Sequence, residues 1–311
     1  MSRNGPGVAD GRIVFLGTPG AAVPALERLA ARLDLVVTRP DRRQGRNRQL
    51  VPSAVSSAAD RLGLPVAKPE DRAELSAVLA PQLRLGVVVA FGMLLPQAIL
   101  DSSELGFLNL HFSLLPRWRG AAPVQRSIMA GDQFTGVTVF RLDGGLDHGP
   151  LLASFSTEIR PVEKGTELLA RLATLGAELL VDTVARHLAG ETRETPQIEA
   201  DATPAPKLTP DDQHLRLTAT PIEWELRVRA LADRPGAFCL YEGSRLKLLA
   251  VSTVSDPPGL APGELSLRDD RLMCGLTDGA VELVEVQPVG KRPMSGSDWA
   301  RGRHGHLGRL D

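Results

Sequence analysis

The run Leu85 to Ala90 (LGVVVA) constrains the fold more than any other segment. It is apolar without interruption, rich in β-branched residues, and closed by the turn-forming AFGMLLP. A run of that length and character reads as a strand, and a strand apolar on both faces has to be covered on both faces. Arg12 to Leu16 (RIVFL, ended by glycine and proline), Leu35 to Thr38 (LVVT) and Leu105 to Leu110 (LGFLNL) repeat the pattern. Between them Leu26, Leu29, Ala30 and Leu33 recur at helical spacing, and residues 52–62 suggest a second helix. Buried strands alternating with helices predict an α/β fold with a doubly wound, mostly parallel sheet. Thr135 to Leu142 (TGVTVFRL) alternates and is expected as an edge or antiparallel strand. Pro123 suits the first turn of a helix, and residues 165–188 carry leucine and alanine at helical spacing up to a capping Gly190.

From residue 191 the chain turns polar and proline-rich (ETRETPQIEADATPAPK), as expected of a linker over 191–207. A helix at Pro221 to Leu231 follows. Then come short runs, CLYEG, RLKLLAV, RLMCGL and AVELVEVQPVG, parted by glycine, proline or aspartate. That rhythm predicts a small antiparallel, OB-like β-barrel. The expected organisation is therefore a first domain at 1–190, a linker at 191–207 and a second domain at 208–311, which suits 311 residues. Net charge is −1, so any nucleic-acid contact must come from a local patch. Residues 1–189 carry 21 Lys and Arg against 18 Asp and Glu, and residues 190–311 carry 15 against 19, so the first part is the more basic. Cys239 and Cys274 lie far apart without a CxxC or a histidine cluster, and neither a metal site nor a disulfide framework is indicated. The polar N-terminal MSRNGPGVADGR lacks the apolar core of a signal peptide, and no run approaches a membrane span. A cytoplasmic, membrane-free and metal-free protein is expected.

Asn109 and His111 stand two apart at the end of a strand, so alternation puts both side chains on one face. In open α/β sheets ligands bind beyond the carboxyl ends of the strands. Asp147, in GGLDHGP, is surrounded by Gly144, Gly145 and Gly149, whose backbone freedom allows a sharp loop to bring a carboxylate near. Acyl transfer to an amine passes through a tetrahedral oxyanion, which an amide donor and an imidazolium stabilise, while a carboxylate takes the amine proton. By residue type alone, a strand-end Asn or His is more often structural than catalytic, and a loop Asp usually caps a turn.

The segment from Leu108 to Arg126 (NLHFSLLPRWRGAAPVQR after its first leucine) resembles the motif of the folate-dependent formyltransferases, whose core reads Asn-x-His-x-Ser-Leu-Leu-Pro. The resemblance implies a Rossmann-like catalytic domain and makes Asn109, His111 and Asp147 the catalytic trio. It also implies that Ser113, Leu114, Leu115 and Pro116 contact the folate, and that Val88, Val89, Ala90, Phe91 and Gly92 wall the pteridine pocket. The donor it implies is 10-formyltetrahydrofolate, with no metal.

Three further segments carry the resemblance along the chain: LGTPGAAV at 16–23, TRPDRRQGRNRQLVPSAV at 38–55 and VQPVGKRPMSGSDWARG at 286–302. They are similar to the branch of the family that formylates initiator methionyl-tRNA, so that RNA and the folate are the expected partners of a monomer. Arg39, Arg42, Arg43, Arg46 and Arg48 crowd one polar loop, and arginine forks suit phosphate geometry. From charge alone the loop reads equally as a solvated one. The resemblance assigns Arg42, Arg43 and Arg46 to the tRNA, with Arg46 entering the acceptor stem. Arg117 and Arg119 are RNA contacts by position, and Trp118 is read as packing. The chain departs from the family at Ala21, Phe112, Leu217, Phe238 and Asp233-Arg234-Pro235. The alternative acceptor is the amine of a sugar or a specialised metabolite. The first turn, GTPG, lacks the GxGxxG spacing of a dinucleotide site.

Overall fold

The computed structural model describes residues 11–44, 49–80, 82–256 and 259–311. These divide into two compact units. The first holds the chain up to Gly120 together with Gly136–Thr157 and Leu169–Pro204, and the second holds Ala121–Thr135, Glu158–Leu168 and Ala205–Asp311.

In chain order the first part comprises β1 (Arg12–Gly17), α1 (Val23–Leu29), β2 (Leu35–Val37), β3 (Arg42–Gln44), β4 (Gln49–Val51), α2 (Ala54–Arg61), β5 (Val66–Ala67), α3 (Arg72–Leu79), β6 (Leu83–Val89), α4 (Gln97–Leu100) and β7 (Phe107–His111). Then follow α5 (Pro123–Met129), β8 (Phe134–Arg141), β9 (Leu151–Glu158) and α6 (Gly165–Leu188). Seven strands form one sheet in the order β5-β2-β1-β6-β7-β8-β9. The pairs from β5 to β7 are parallel, and β8 runs antiparallel to β7. The alternating run at 135–142 is thus antiparallel, but β9 lies outside it, so it is not an edge.

The strands obey the physics of their sequence. All five residues from Leu85 to Val89 are buried, and each valine removed from water contributes about 1.5 to 3 kcal/mol. Gly86 is a glycine because the Phe107 ring of β7 lies where its Cβ would stand. Leu75, Leu79, Ile99 and Leu100 from α3 and α4 pack with Val14, Leu16, Val37, Val88 and Phe107 in one core. On β7 alternation sends Leu110 the other way, against Gly176 of α6. Helix starts are capped as their sequences direct: the Ser53 hydroxyl accepts from Ser56 N at 2.9 Å, and Asp71 accepts from Ala73 and Glu74. The arginine loop, read from sequence as irregular, is partly a hairpin in which Arg43 of β3 faces Leu50 of β4.

The second unit adds α7 (Pro210–Gln213), α8 (Pro221–Leu231), β10 (Ala237–Tyr241), β11 (Ser244–Thr253), β12 (Leu265–Arg268), β13 (Arg271–Leu276), β14 (Gly279–Pro288), β15 (Met294–Ser295) and α9 (Gly296–Arg301). Its antiparallel sheet runs β10-β11-β14-β13-β12, with β15 against β14. The C-terminal residues close it. Leu240 and Asp311 exchange backbone hydrogen bonds of 3.0 and 2.9 Å, and Leu310 N donates to Gly263 O at 2.8 Å. The tail therefore bridges β10 to the start of β12 and leaves a small barrel with few open edges. Trp224, Leu231, Leu248, Cys274 and Trp299 lie among its core residues. The Arg303 guanidinium joins this packing, 4.6 Å from the Tyr241 ring and 4.9 Å from the Trp299 ring.

A candidate active site at the end of β7

β7 lies between β6 and β8, with Val88 opposite Asn109 on one side and Thr138 opposite His111 on the other. The carboxyl ends of β6 and β7 thus come together beside β1 and β6, where strand order reverses, as the sheet rule requires. Asn109 is half-buried, and among the described residues its side-chain amide meets no hydrogen-bond partner. His111 is 6% exposed.

Each nitrogen of the His111 ring faces an oxygen. Nε2 stands 2.8 Å from the carbonyl of Trp118, and Nδ1 stands 3.7 Å from Asp147 Oδ2. A carbonyl only accepts, so the ring carries a hydrogen on Nε2 and turns Nδ1 toward the carboxylate. The same Asp147 oxygen accepts from Gly120 N at 2.8 Å. Asp147 and Trp118 both sit in the left-handed region, at φ 48° and 66°. The flanking glycines have a different use from the one expected. Of Gly144, Gly145 and Gly149 none has positive φ, and Gly145 and Gly149 instead make room, for His148 and for the Arg141 carbonyl.

The expected folate-contacting residues cluster around this point. Val88 and Val89 end β6 in the interior, then Ala90 and Gly92 turn the chain through left-handed φ of 48° and 75° and are exposed. Phe91 is buried, and its carbonyl accepts from Thr18 Oγ1 at 2.9 Å. Ser113 is fully buried and its hydroxyl donates to Arg117 O at 2.6 Å, closing the turn that carries Leu114, Leu115 and Pro116. Thr138 stitches that turn to β8, donating to Ser113 O at 2.7 Å and accepting from Leu115 N at 3.1 Å. Arg42 and Arg43 are exposed on the β3-β4 hairpin, whereas Arg46 and Arg48 lie outside the described residues. Arg119, expected at the RNA by position, has a side chain only 11% exposed, its Nε donating to Gln197 at 3.0 Å and its Nη1 to both Glu199 oxygens at 2.8 and 3.0 Å.

Sequence reasoning missed the contribution of residues 191–204. This stretch, expected as a linker, lies along the first unit. Leu151 and Thr195 exchange backbone bonds of 2.8 and 2.9 Å, and Arg141 grips Glu194 at 2.6 and 2.9 Å, an ion-paired hydrogen bond that holds the Glu194 carboxyl below the usual carboxylate range. Gln197 and Thr203 reach the candidate site itself. A glutamine and a threonine in a polar, proline-rich stretch carry no local signal of such a role. Among the described residues no group of His, Cys, Asp and Glu is arranged to hold a metal ion, and no helix is long and apolar enough to cross a membrane.

Residues 12–184 match the family model of formyl transferase, and residues 207–304 match that of the formyl transferase C-terminal domain. The chain is 44% identical over 306 residues to a methionyl-tRNA formyltransferase of Streptomyces griseus, covering 95% of this chain and 99% of the relative. It is also 44% identical to a methionyl-tRNA formyltransferase of Clavibacter sepedonicus over 94% of this chain and 97% of that one. Among solved structures, the N-formyltransferase of Helicobacter canadensis in complex with folinic acid and dTDP-3-aminofucose superposes with a TM-score of 0.68 at 16% identity, over 90% of this chain and all of that one.

Proposed function

The chain belongs to the formyl transferase family, and from that membership we propose that it transfers the formyl group of 10-formyltetrahydrofolate to the amino group of methionine on initiator methionyl-tRNA, in translation initiation. The observation that carries this reading is the 44% identity to the Streptomyces griseus methionyl-tRNA formyltransferase, which extends through both units. The likeness to the Helicobacter canadensis N-formyltransferase, at 16% identity, bears on the fold alone.

The chemistry follows from the three side chains. The methionyl amine attacks the formyl carbon, a C–N bond forms and the carbonyl oxygen becomes an oxyanion. Asn109, whose amide donors have no internal partner among the described residues, donates to that oxygen. The amine proton passes to Asp147 and is shared with His111 through Nδ1, 3.7 Å away, so that positive charge on the ring offsets the oxyanion. Collapse breaks the bond from the formyl carbon to N10 of the folate, and the same proton travels to that nitrogen. The fixed Nε2 contact to Trp118 O confines the proton traffic of the ring to Nδ1. Val88 to Gly92 and Ser113 to Pro116 form the folate side of the site, and the hairpin bearing Arg42 and Arg43, with Arg46, takes the acceptor stem.

The test is a formyl-transfer assay offering charged initiator methionyl-tRNA, charged elongator methionyl-tRNA, free methionine and a dTDP-amino sugar side by side. Transfer to the initiator tRNA above all others is expected. Preference for the amino sugar would overturn the acceptor while leaving the chemistry.

A further inference from the structure

The two backbone positions that present partners to His111, Trp118 and Asp147, are both left-handed non-glycine residues. Such conformations cost on the order of 1 kcal/mol or more each and persist only where the surroundings over-determine them. Here the surroundings are the 191–204 strap. The Gln197 side-chain amide donates both of its hydrogens to one turn, to Asp147 O at 2.9 Å and to Gly149 O at 2.8 Å, and its Oε1 accepts from Arg119 Nε at 3.0 Å. The bonding capacity of its NH2 is spent on the loop that carries Asp147. Six residues on, Thr203 holds the other position. Its Oγ1 accepts from Trp118 N at 2.9 Å, its carbonyl accepts from Arg119 N at 2.8 Å, and its N donates to Pro116 O at 3.3 Å. The two turns are tied to each other as well, since Gly120 N donates to Asp147 Oδ2.

We infer that Gln197 and Thr203 are positioning residues for formyl transfer: the strap locks the Asp147 carboxylate and the Trp118 carbonyl at the two nitrogens of His111. The inference rests on the catalytic reading of Asn109, His111 and Asp147 given above. Its physical content is that neither residue touches substrate. A shift of about 1 Å in the Asp147 loop is enough to lose on the order of 100-fold in rate without changing what the enzyme binds.

Glu at 197 keeps the size and the bond to Arg119 but sets a carboxylate oxygen against two carbonyls. Gln197→Met removes both donors without adding charge, and serves if Gln197→Glu does not fold. Steady-state kinetics with the full chain and charged initiator tRNA are expected to show kcat lower by tenfold or more in either variant. KM for the folate donor and for the tRNA stays within about threefold, and the circular dichroism spectrum is unchanged. Thr203→Val is expected to lower kcat in the same way, and Thr203→Ser, which restores the acceptor oxygen, to recover most of it. Because Gln197 acts through Asp147, Gln197→Glu added to Asp147→Asn is expected to cost less than threefold more. His111→Ala runs alongside. If His111→Ala is inactive and the Gln197 variants turn over within twofold of wild type, or lose as much again in the Asp147→Asn background, the positioning role is overturned and the catalytic reading stands. If His111→Ala itself turns over at the wild-type rate, the catalytic reading fails and takes this inference with it.

Discussion

Asp147 has to satisfy a conformation and a charge at once, and the two are separable by mutation. At φ 48° it occupies a region that Asn enters about as readily, while a β-branched side chain does so only under strain. Asp147→Asn is therefore expected to leave thermal stability nearly unchanged and to lower the transfer rate by about 100-fold or more, because the proposed proton acceptor is gone. Asp147→Val is expected to lose the same activity and about 1 kcal/mol of stability besides. Unfolding curves set beside single-turnover rates separate the two effects, and equal stability of the two variants would remove the conformational argument. On the proposed mechanism Asn109→Ala loses a donor to the oxyanion and His111→Ala loses the ring charge that offsets it, and each is expected to slow transfer by about 100-fold while the fold is kept. A folded His111→Ala protein with wild-type turnover refutes the proton path.

At the scale of elements, the sheet is built from close approach and the hairpin from projection. A Cβ on Gly86 meets the Phe107 ring between two central strands, where neither backbone has room to yield. Gly86→Ala is expected to cost about 1 to 3 kcal/mol by chemical denaturation, and Phe107→Leu in the same chain to return part of it. No change in denaturation midpoint would mean that the β6-β7 pair relaxes freely. The β3-β4 hairpin instead carries Arg42, Arg43 and a Leu50 that is 61% exposed, the profile of an arm that reaches away from the core. If Arg42 and Arg43 each neutralise one phosphate, the double alanine variant flattens the slope of log affinity against log salt by about 1.5 to 2. Filter binding of the initiator tRNA across a salt series measures that slope, and an unchanged slope would return the hairpin to an uninvolved surface arm.

At the scale of the molecule, pH acts unequally on the ion pairs that brace each unit. In the second unit the Arg126 fork bonds Asp212 at 2.6 and 3.0 Å and, with hydrogen bonds from Thr209, lowers its carboxyl from 3.8 to about 2. A carboxyl whose pKa is lower in the folded chain adds stability that is full above its unfolded pKa and fades as pH falls through the folded one. Arg126→Gln is expected to lose about 1 kcal/mol at pH 7, after allowing for solvent screening, and the gap from wild type to close between pH 4 and pH 2. Denaturant titrations at pH 7, 4 and 2.5 read this directly. A gap that stayed constant with pH would mean that Arg126 contributes by packing alone. In the same unit Cys239 and Cys274 are buried, and burial pushes the Cys274 thiol up to about 12, so neither is a ready nucleophile.

What the amino-acid sequence determined by itself was whatever is encoded locally. Short apolar runs made β1, β2, β6 and β7 legible, because burial on both faces demands apolar side chains at consecutive positions. The spacing Asn-x-His put two side chains on one face for the same reason. Asp147 could be named from its motif but not placed. Its left-handed backbone, the Trp118 carbonyl at Nε2 and the Gln197 and Thr203 strap were decided only by the tertiary structure. So was the closure of the barrel by residues 309–311. The strap and the closure are contacts between segments about 50 to 85 residues apart, and the Asp147 conformation and the Trp118 carbonyl belong to backbone that every residue shares. Hydrogen bonds made by carbonyls and a glutamine amide leave no periodicity behind, so a stretch that holds the candidate site together reads in sequence as a linker.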